Sequence, residues 1–158
     1  MSTAALAAAV VRCAAERGVT VASAESCTGG LVGAALTGVP GSSAAFGYGV
    51  VAYANAAKAA LLGVDPALIE RHGAVSGEVA SAMAVGVARL SGAHAAVSVT
   101  GIAGPGGGSA DKPVGLVWFG LASGGEVRAE RHVFGDQGRD GVRARAVDAA
   151  LTLLLGTL

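Results

Sequence analysis

The segment that decides the fold is residues 19–36, VTVASAESCTGGLVGAAL. Its first six residues, 19–24, are small or apolar and include β-branched side chains, which is typical of a short buried strand. Residues 25–30 then supply an acid, two hydroxyls, a thiol and two glycines, and residues 31–36 resume a helical pattern. A strand that passes through a glycine-rich turn into a helix is the basic unit of an α/β protein.

The rest of the chain repeats this alternation on both sides of the segment. We predict helices over residues 3–17, 55–62, 76–90 and 139–155, a helical turn after residue 66, and strands over 46–53, 95–100, 114–122 and 127–134. The last two strands are expected to form a hairpin across Ser123–Gly125. The pattern predicts a three-layer α/β/α sandwich with a mixed sheet, in one domain over residues 1–158.

The composition excludes several classes of protein. With 53% apolar and 14% charged residues the chain is expected to fold. Eleven basic residues balance eleven acidic ones without forming a cluster, so no nucleic-acid partner is predicted. No apolar run reaches the roughly 20 residues of a membrane span, and the N-terminus lacks a signal-peptide pattern. We therefore expect a cytoplasmic protein with no membrane partner, in which Cys13 and Cys27 are reduced thiols.

Two glycine-rich loops are the candidates for a functional site. Residues 26–30 and 101–109 both follow predicted strands, at the sheet edge where open α/β proteins bind ligands. Their hydroxyls and free N–H groups suit an oxyanion or a phosphate. Neither loop has a P-loop or dinucleotide-binding spacing, and the three histidines and two cysteines lack metal-ligand spacing. We therefore predict no metal and no cofactor, and nucleophilic catalysis remains.

Residues 24–30, AESCTGG, resemble the signature of the CinA C-terminal domain family, the nicotinamide-nucleotide amidohydrolases. Further blocks resemble the family in the same order: VPGSS at 39–43, YANAAK at 53–58, LGV at 62–64, GAVS at 73–76, TGIAGP at 100–105 and KPVG at 112–115. The resemblance covers nearly the whole chain. The larger N-terminal domain of some CinA proteins lies outside it, so we expect a stand-alone amidohydrolase.

The resemblance implies a fold, a reaction and an assembly. The fold is a three-layer α/β/α sandwich with a mixed, mostly parallel five-stranded sheet. The reaction is hydrolysis of the nicotinamide amide of nicotinamide mononucleotide to nicotinic acid mononucleotide and ammonia. The substrate would thus be a pyridine mononucleotide, and the protein a cytoplasmic homodimer or higher homo-oligomer.

The resemblance also assigns roles to residues. Ser26 would be the nucleophile and Lys58 the base, provided that burial or a neighbouring positive dipole lowers its pKa. Tyr53 would relay a proton or hold Ser26 in place. The remaining residues would bind the oxyanion or the substrate's phosphate and ribose: Thr28, Gly29, Gly30, Ser43, Thr100, Gly101, Gly104, Gly106 and Gly107.

Two positions depart from the family pattern. Gly106 stands where the family often has an acidic residue, and Tyr48 stands in place of a glycine. If the acid grips ribose hydroxyls, its absence favours a second hypothesis, a catalytically silent nucleotide-binding or protein-interaction module. A third hypothesis is a hydrolase or transferase for another phosphorylated small molecule.

Other interpretations of these residues stay open at this point. Ser26 and Thr28 could be helix N-caps, and Lys58 a solvated lysine. Glu25 is either a carboxylate that contacts Lys58 or a loop charge. Cys27, next to Ser26 at a helix start, is a rival nucleophile that would need a histidine partner.

Arg139, Arg143 and Arg145 form a group at the start of the last helix and are interpreted as a solvated face. Because Arg139 and Arg143 lie one turn apart, an anion or subunit contact is the alternative.

Overall fold

The computed structural model describes all residues, Met1–Leu158, as a five-stranded sheet with helices on both faces. The strands are β1 Val21–Glu25, β2 Phe46–Val51, β3 Ala95–Gly101, β4 Leu116–Ser123 and β5 Glu126–Val133. The helices are α1 Thr3–Arg17, α2 Leu31–Thr37, α3 Asn55–Leu62, α4 Pro66–His72, α5 Gly77–Ser91 and α6 Gly138–Leu155.

The strand order β2-β1-β3-β4-β5 makes the sheet mixed. Strands β2, β1 and β3 pair in parallel, whereas β4 pairs antiparallel with both β3 and β5. Four of the five strands therefore point the same way, which confirms the predicted mixed α/β sheet. Because β1 and β3 are parallel, their carboxyl ends share one edge, where the N–H group of Ser26 donates to the carbonyl oxygen of Val99 at 2.9 Å.

Alternating side chains of the strands build two apolar layers. Val21 of β1 and Val97 of β3 pack with α1, α2 and α6 on one face of the sheet. Ala22 and Ala96 pack with α3, α4 and α5 on the other face. The predicted three-layer sandwich is therefore confirmed.

Two glycines let α5 approach its neighbours closely. A Cβ atom at Gly120 of β4 would lie 2.1 Å from the carbonyl oxygen of Ala80, and one at Gly86 would lie 2.0 Å from that of Leu62. Larger residues at either position would push α5 away from the sheet or from α3. The abundance of small residues in the sequence thus serves close packing of backbone on backbone.

The predicted elements are all present, and their ends shift by one or two residues. The first strand begins at Val21 rather than Val19, because the N–H group of Val19 still bonds Ala14 at the end of α1. The hairpin turn is two residues long rather than three. It consists of Gly124 and Gly125, whose φ angles of 61° and 82° suit a tight hairpin. No helix is long and apolar enough to cross a membrane.

Candidate active site

Ser26 and Lys58 form a buried pair at the carboxyl edge of the sheet. Ser26 follows β1 directly, and Lys58 lies on α3, which follows β2. Lys58 Nζ lies 3.0 Å from Ser26 Oγ and donates to the carbonyl oxygen of Tyr53 at 2.9 Å. Lys58 is only 1% exposed and Ser26 only 8%, so the contact is shielded from water.

The surroundings of Lys58 favour its neutral form. Burial lowers the pKa of the ammonium group below its ordinary value of 10.5. Its hydrogen-bond partners are a hydroxyl and a carbonyl, and it forms no ion pair with a carboxylate. A neutral amine 3.0 Å from a serine hydroxyl can accept the serine proton, which is what a general base does. The interpretation of Lys58 as a solvated lysine is therefore wrong.

Glu25 is neither a contact of Lys58 nor a loop charge, so both predictions for it are wrong. It is the last residue of β1 and is 1% exposed. Its carboxylate accepts from the hydroxyl of Thr28 at 2.7 Å and from the N–H groups of Val32 at 2.8 Å and Gly33 at 3.0 Å. Glu25 thus caps the start of α2 from inside the protein.

This arrangement removes the helix-cap interpretation of Ser26 and Thr28. Helix α2 begins at Leu31, and its N-cap is Gly30 with φ 104°, a conformation that favours glycine. The Thr28 hydroxyl is occupied by Glu25. The Ser26 hydroxyl has only Lys58 and, at 3.5 Å, the Tyr53 carbonyl as neighbours. Ser26 is left free for chemistry.

The turn after Ser26 offers free N–H groups, but not the full predicted set. The N–H group of Gly29 is used, since it donates to the Ser26 carbonyl at 3.1 Å. Those of Cys27, Thr28 and Gly30 donate to no other protein group. Cys27 was absent from the predicted donors, although the N–H group directly after a nucleophile is a common oxyanion donor.

A cavity of about 270 Å³ opens beside Ser26 and Lys58. Both loops line it, as does the first turn of α6, and its walls include two basic side chains, Lys58 and Arg139, and no acidic one. Of the predicted residues, the lining contains Ser26, Tyr53, Lys58, Thr100, Gly101, Gly104, Gly106 and Gly107. Thr28, Gly29 and Gly30 are not part of that lining.

Ser43 is not brought to this cavity. It is exposed in a short 3-10 turn, Ser42–Ala44, that precedes β2. Because β2 is parallel to β1, a residue before β2 lies at the amino edge of the sheet, whereas Ser26 follows β1 at the carboxyl edge. The predicted substrate contact of Ser43 is therefore not made in the cavity of its own chain.

Tyr53 reaches the pair through its backbone rather than its side chain. Its carbonyl oxygen accepts from Lys58, while its phenol is 61% exposed and accepts from Arg139 Nη2 at 3.1 Å. The phenol makes no hydrogen bond to Ser26 or Lys58, and the contact with the pair is made by the main chain. The role of Tyr53 in relaying a proton or holding Ser26 stays a prediction.

Arg139 and Arg143 are not a plain solvated face. Arg139 lines the cavity and donates to the Gly104 carbonyl at 2.9 Å. Arg143 donates from Nε to the Cys27 carbonyl at 3.1 Å and from Nη2 to the Thr28 carbonyl at 3.4 Å. Their spacing of one helical turn was the available signal, but the sequence does not say what a helix face opposes.

The glycine-rich loop after β3 forms the opposite wall. Thr100, at the end of β3, donates from its hydroxyl to the Ala74 carbonyl at 2.8 Å. Lys112, near the far end of the loop, donates to the His72 carbonyl at 2.6 Å. A Cβ atom at Gly106 would meet nothing within 4 Å, so the side chain that the family often has there would fit. Tyr48 is 46% exposed and does not line the cavity.

The rival nucleophile Cys27 lacks what it needs. Burial raises the pKa of its thiol to about 11, and no histidine lines the cavity. A thiol with that pKa is almost entirely protonated near neutral pH. The proposed Cys27–His pair is therefore not present. No three His, Cys, Asp or Glu side chains come together as a metal-binding cluster.

Known proteins resemble this chain along its length. The family model for the CinA C-terminal domain matches residues 3–158. The CinA-like protein of Chlorobaculum tepidum is 55% identical over 152 residues, which cover 92% of this chain but 36% of that protein. The nicotinamide-nucleotide amidohydrolase PncC of Enterobacter agglomerans is 52% identical over 137 residues, covering 85% of this chain and 82% of that protein.

A solved structure is also very similar. The competence/damage inducible protein CihA from Agrobacterium tumefaciens superposes with a TM-score of 0.96 at 44% sequence identity, covering 98% of this chain and 94% of that one. This chain thus matches one solved chain almost end to end, while it spans only about a third of the longer curated relatives.

Proposed function

This chain belongs to the CinA C-terminal domain family, and we propose that it hydrolyses the amide of nicotinamide mononucleotide with Ser26 as nucleophile. The observation that carries the proposal is the 3.0 Å contact between the Ser26 hydroxyl and a buried lysine amine whose pKa is lowered. The name of the Enterobacter agglomerans relative, a nicotinamide-nucleotide amidohydrolase, supports the choice of substrate.

The proposed reaction proceeds in two halves that share Lys58. Ser26 Oγ attacks the amide carbon while its proton passes to the neutral amine of Lys58. The resulting oxyanion accepts a hydrogen bond from the free N–H group of Cys27, the residue of the turn after Ser26 that lines the cavity. Lys58 returns the proton to the leaving nitrogen, ammonia departs, and an ester on Ser26 remains.

The second half reverses these roles. Lys58 accepts a proton from water, the oxygen of that water attacks the ester carbon, and Ser26 Oγ leaves with the proton that Lys58 holds. The sum is amide plus water to carboxylate plus ammonium. Apart from the substrate and water, every group in this scheme belongs to the chain, so the proposed reaction needs no metal.

The charges of the cavity support a phosphorylated substrate. Its two basic residues have separate positions: Lys58 is buried against Ser26 as a neutral amine, whereas Arg139 is an exposed cation at the start of α6. Arg139 can therefore meet a phosphate while the amide lies at Ser26. The absence of an acidic side chain from the lining means that no protein carboxylate there repels the phosphate.

Ammonia release from nicotinamide mononucleotide tests the proposal. Wild-type protein with EDTA present is expected to turn over, and Ser26→Ala is expected to lose about 1,000-fold or more in kcat. Ser43→Ala, an exposed serine at the other edge of the sheet, is the matched control and should keep wild-type activity. Equal activity of wild type and Ser26→Ala would assign the reaction to another group.

A second candidate is a nucleotide-binding module without turnover, and the observation that favours it is Gly106. The loop there is open, so a ribose hydroxyl that an acid could hold finds no side chain. This candidate predicts that nicotinamide mononucleotide raises the melting temperature of the wild type without any ammonia release.

A further inference from the structure

Two side chains of opposite charge hold the turn after Ser26. The carboxylate of Glu25 accepts hydrogen bonds from the Thr28 hydroxyl and from N–H groups in the first turn of α2. The guanidinium of Arg143, on α6, donates to the carbonyl oxygens of Cys27 and Thr28. The scheme above uses neither charge directly.

The contacts of Arg143 bear on the free N–H groups. In a trans peptide the C=O and N–H bonds point in opposite directions, so fixing the Cys27 carbonyl also fixes the direction of the Thr28 N–H group. Holding both carbonyls fixes the backbone dihedrals of the residues that follow the nucleophile, including Cys27.

The position of Arg143 differs from that of a surface arginine. Its side chain is only 28% exposed, and the one carboxylate near it, that of Asp140, is 4.0 Å away and fully exposed. A Cβ atom at Gly29 would lie 3.3 Å from its Nη2 atom, so the guanidinium lies directly against the turn. Its firm partners are backbone oxygens of the turn.

We infer that Arg143 is a positioning residue: it holds the backbone after Ser26 in place, so that the N–H group of Cys27, a residue that lines the cavity, stabilises the oxyanion. The inference rests on the proposed function for its reaction, but not on the identity of the substrate. Any acyl or phosphonyl group that Ser26 attacks would need the same donor.

The first experiment measures ammonia release by Arg143→Gln and Arg143→Lys. Removing a donor from an oxyanion site costs about 100- to 1,000-fold in kcat, and an indirect effect should be smaller. We therefore expect Arg143→Gln to lower kcat by about 10- to 100-fold with KM within about threefold of wild type, and Arg143→Lys to fall between them.

Arg145→Gln is the matched control, because Arg145 lies on the same helix, is exposed, and makes no hydrogen bond or ion pair. It should retain wild-type kcat and KM. The melting temperature of each variant, with and without nicotinic acid mononucleotide, separates positioning from folding. A kcat of Arg143→Gln within threefold of wild type would overturn the inference, as would a joint loss of kcat, product binding and melting temperature.

A second assay separates this inference from the proposed function. A fluorophosphonate probe forms a bond between Ser26 Oγ and phosphorus and releases fluoride, while the serine proton goes to Lys58. If wild type releases no ammonia but is labelled at Ser26, the proposed substrate is wrong and the inference still predicts slower labelling of Arg143→Gln than of Arg145→Gln. Equal labelling rates, or no labelling of the wild type, would overturn the inference.

Discussion

The two loops at the carboxyl edge of the sheet are built in different ways. The turn at residues 26–30 is short and held by charged side chains from two elements, Glu25 of β1 and Arg143 of α6. The loop at residues 102–115 is long and rich in glycine. Its side-chain ties to the rest of the protein are those of Arg139 to Gly104 and of Lys112 to His72. A fixed turn suits bond making, and a loop whose backbone faces a cavity suits recognition.

This difference predicts that changes around the turn lower kcat, whereas changes around the loop alter KM. Three substitutions test it, from the largest expected effect to the smallest.

Lys58→Met removes the base beside the turn while keeping an unbranched apolar chain. We expect kcat to fall by about 100- to 10,000-fold with nicotinic acid mononucleotide still bound, because positioned proton transfer contributes that much. The pH profile of the wild type is a second measurement. Lys58 acts as a base when neutral and burial lowers its pKa, so activity should rise with pH and level off below 10.5. A plateau that begins only above pH 10.5 would contradict the role of burial.

Arg139→Gln removes the exposed cation of the cavity. A hydrogen bond to a charged group contributes about 1.5–3 kcal/mol, so KM for nicotinamide mononucleotide should rise by about 10- to 100-fold with kcat nearly unchanged. The unphosphorylated nicotinamide riboside serves as the control substrate, and its KM should not change. A fall of kcat for both substrates would assign Arg139 to the bond-making steps at the turn and would contradict the proposed difference between the turn and the loop.

Gly106→Asp has the smallest expected effect. The position has open space and no left-handed φ, so an aspartate should fit without strain and lower KM by about two- to fivefold, the worth of one ordinary hydrogen bond to a ribose hydroxyl. Gly107→Asp is the matched control, because φ there is +86° and a Cβ atom would contact Ile102. Gly107→Asp should have a lower melting temperature than the wild type and should not lower KM.

The sequence predicted the fold because its signals were local. Each strand has a short apolar run, and Gly18, Gly63 and Gly92 end helices in the left-handed conformation that glycine favours. The pairing of Ser26 with Lys58 came from resemblance, since the contact joins residues 32 positions apart. The features that the sequence did not predict depend on long-range geometry. They are the partners of Arg139 and Arg143, the edge of the sheet on which Ser43 lies, and the atoms of Tyr53 that contact Lys58.

Tyr53 divides two tasks between two sets of atoms. Its carbonyl oxygen belongs to the main chain, which every amino acid supplies, so the grip on Lys58 does not depend on the side chain at position 53. Only the phenol, which is exposed beside Arg139, is lost when another amino acid stands at position 53. Evolution can therefore change the side chain at position 53, and with it the ligand that the cavity accepts, without changing the contact between Ser26 and Lys58.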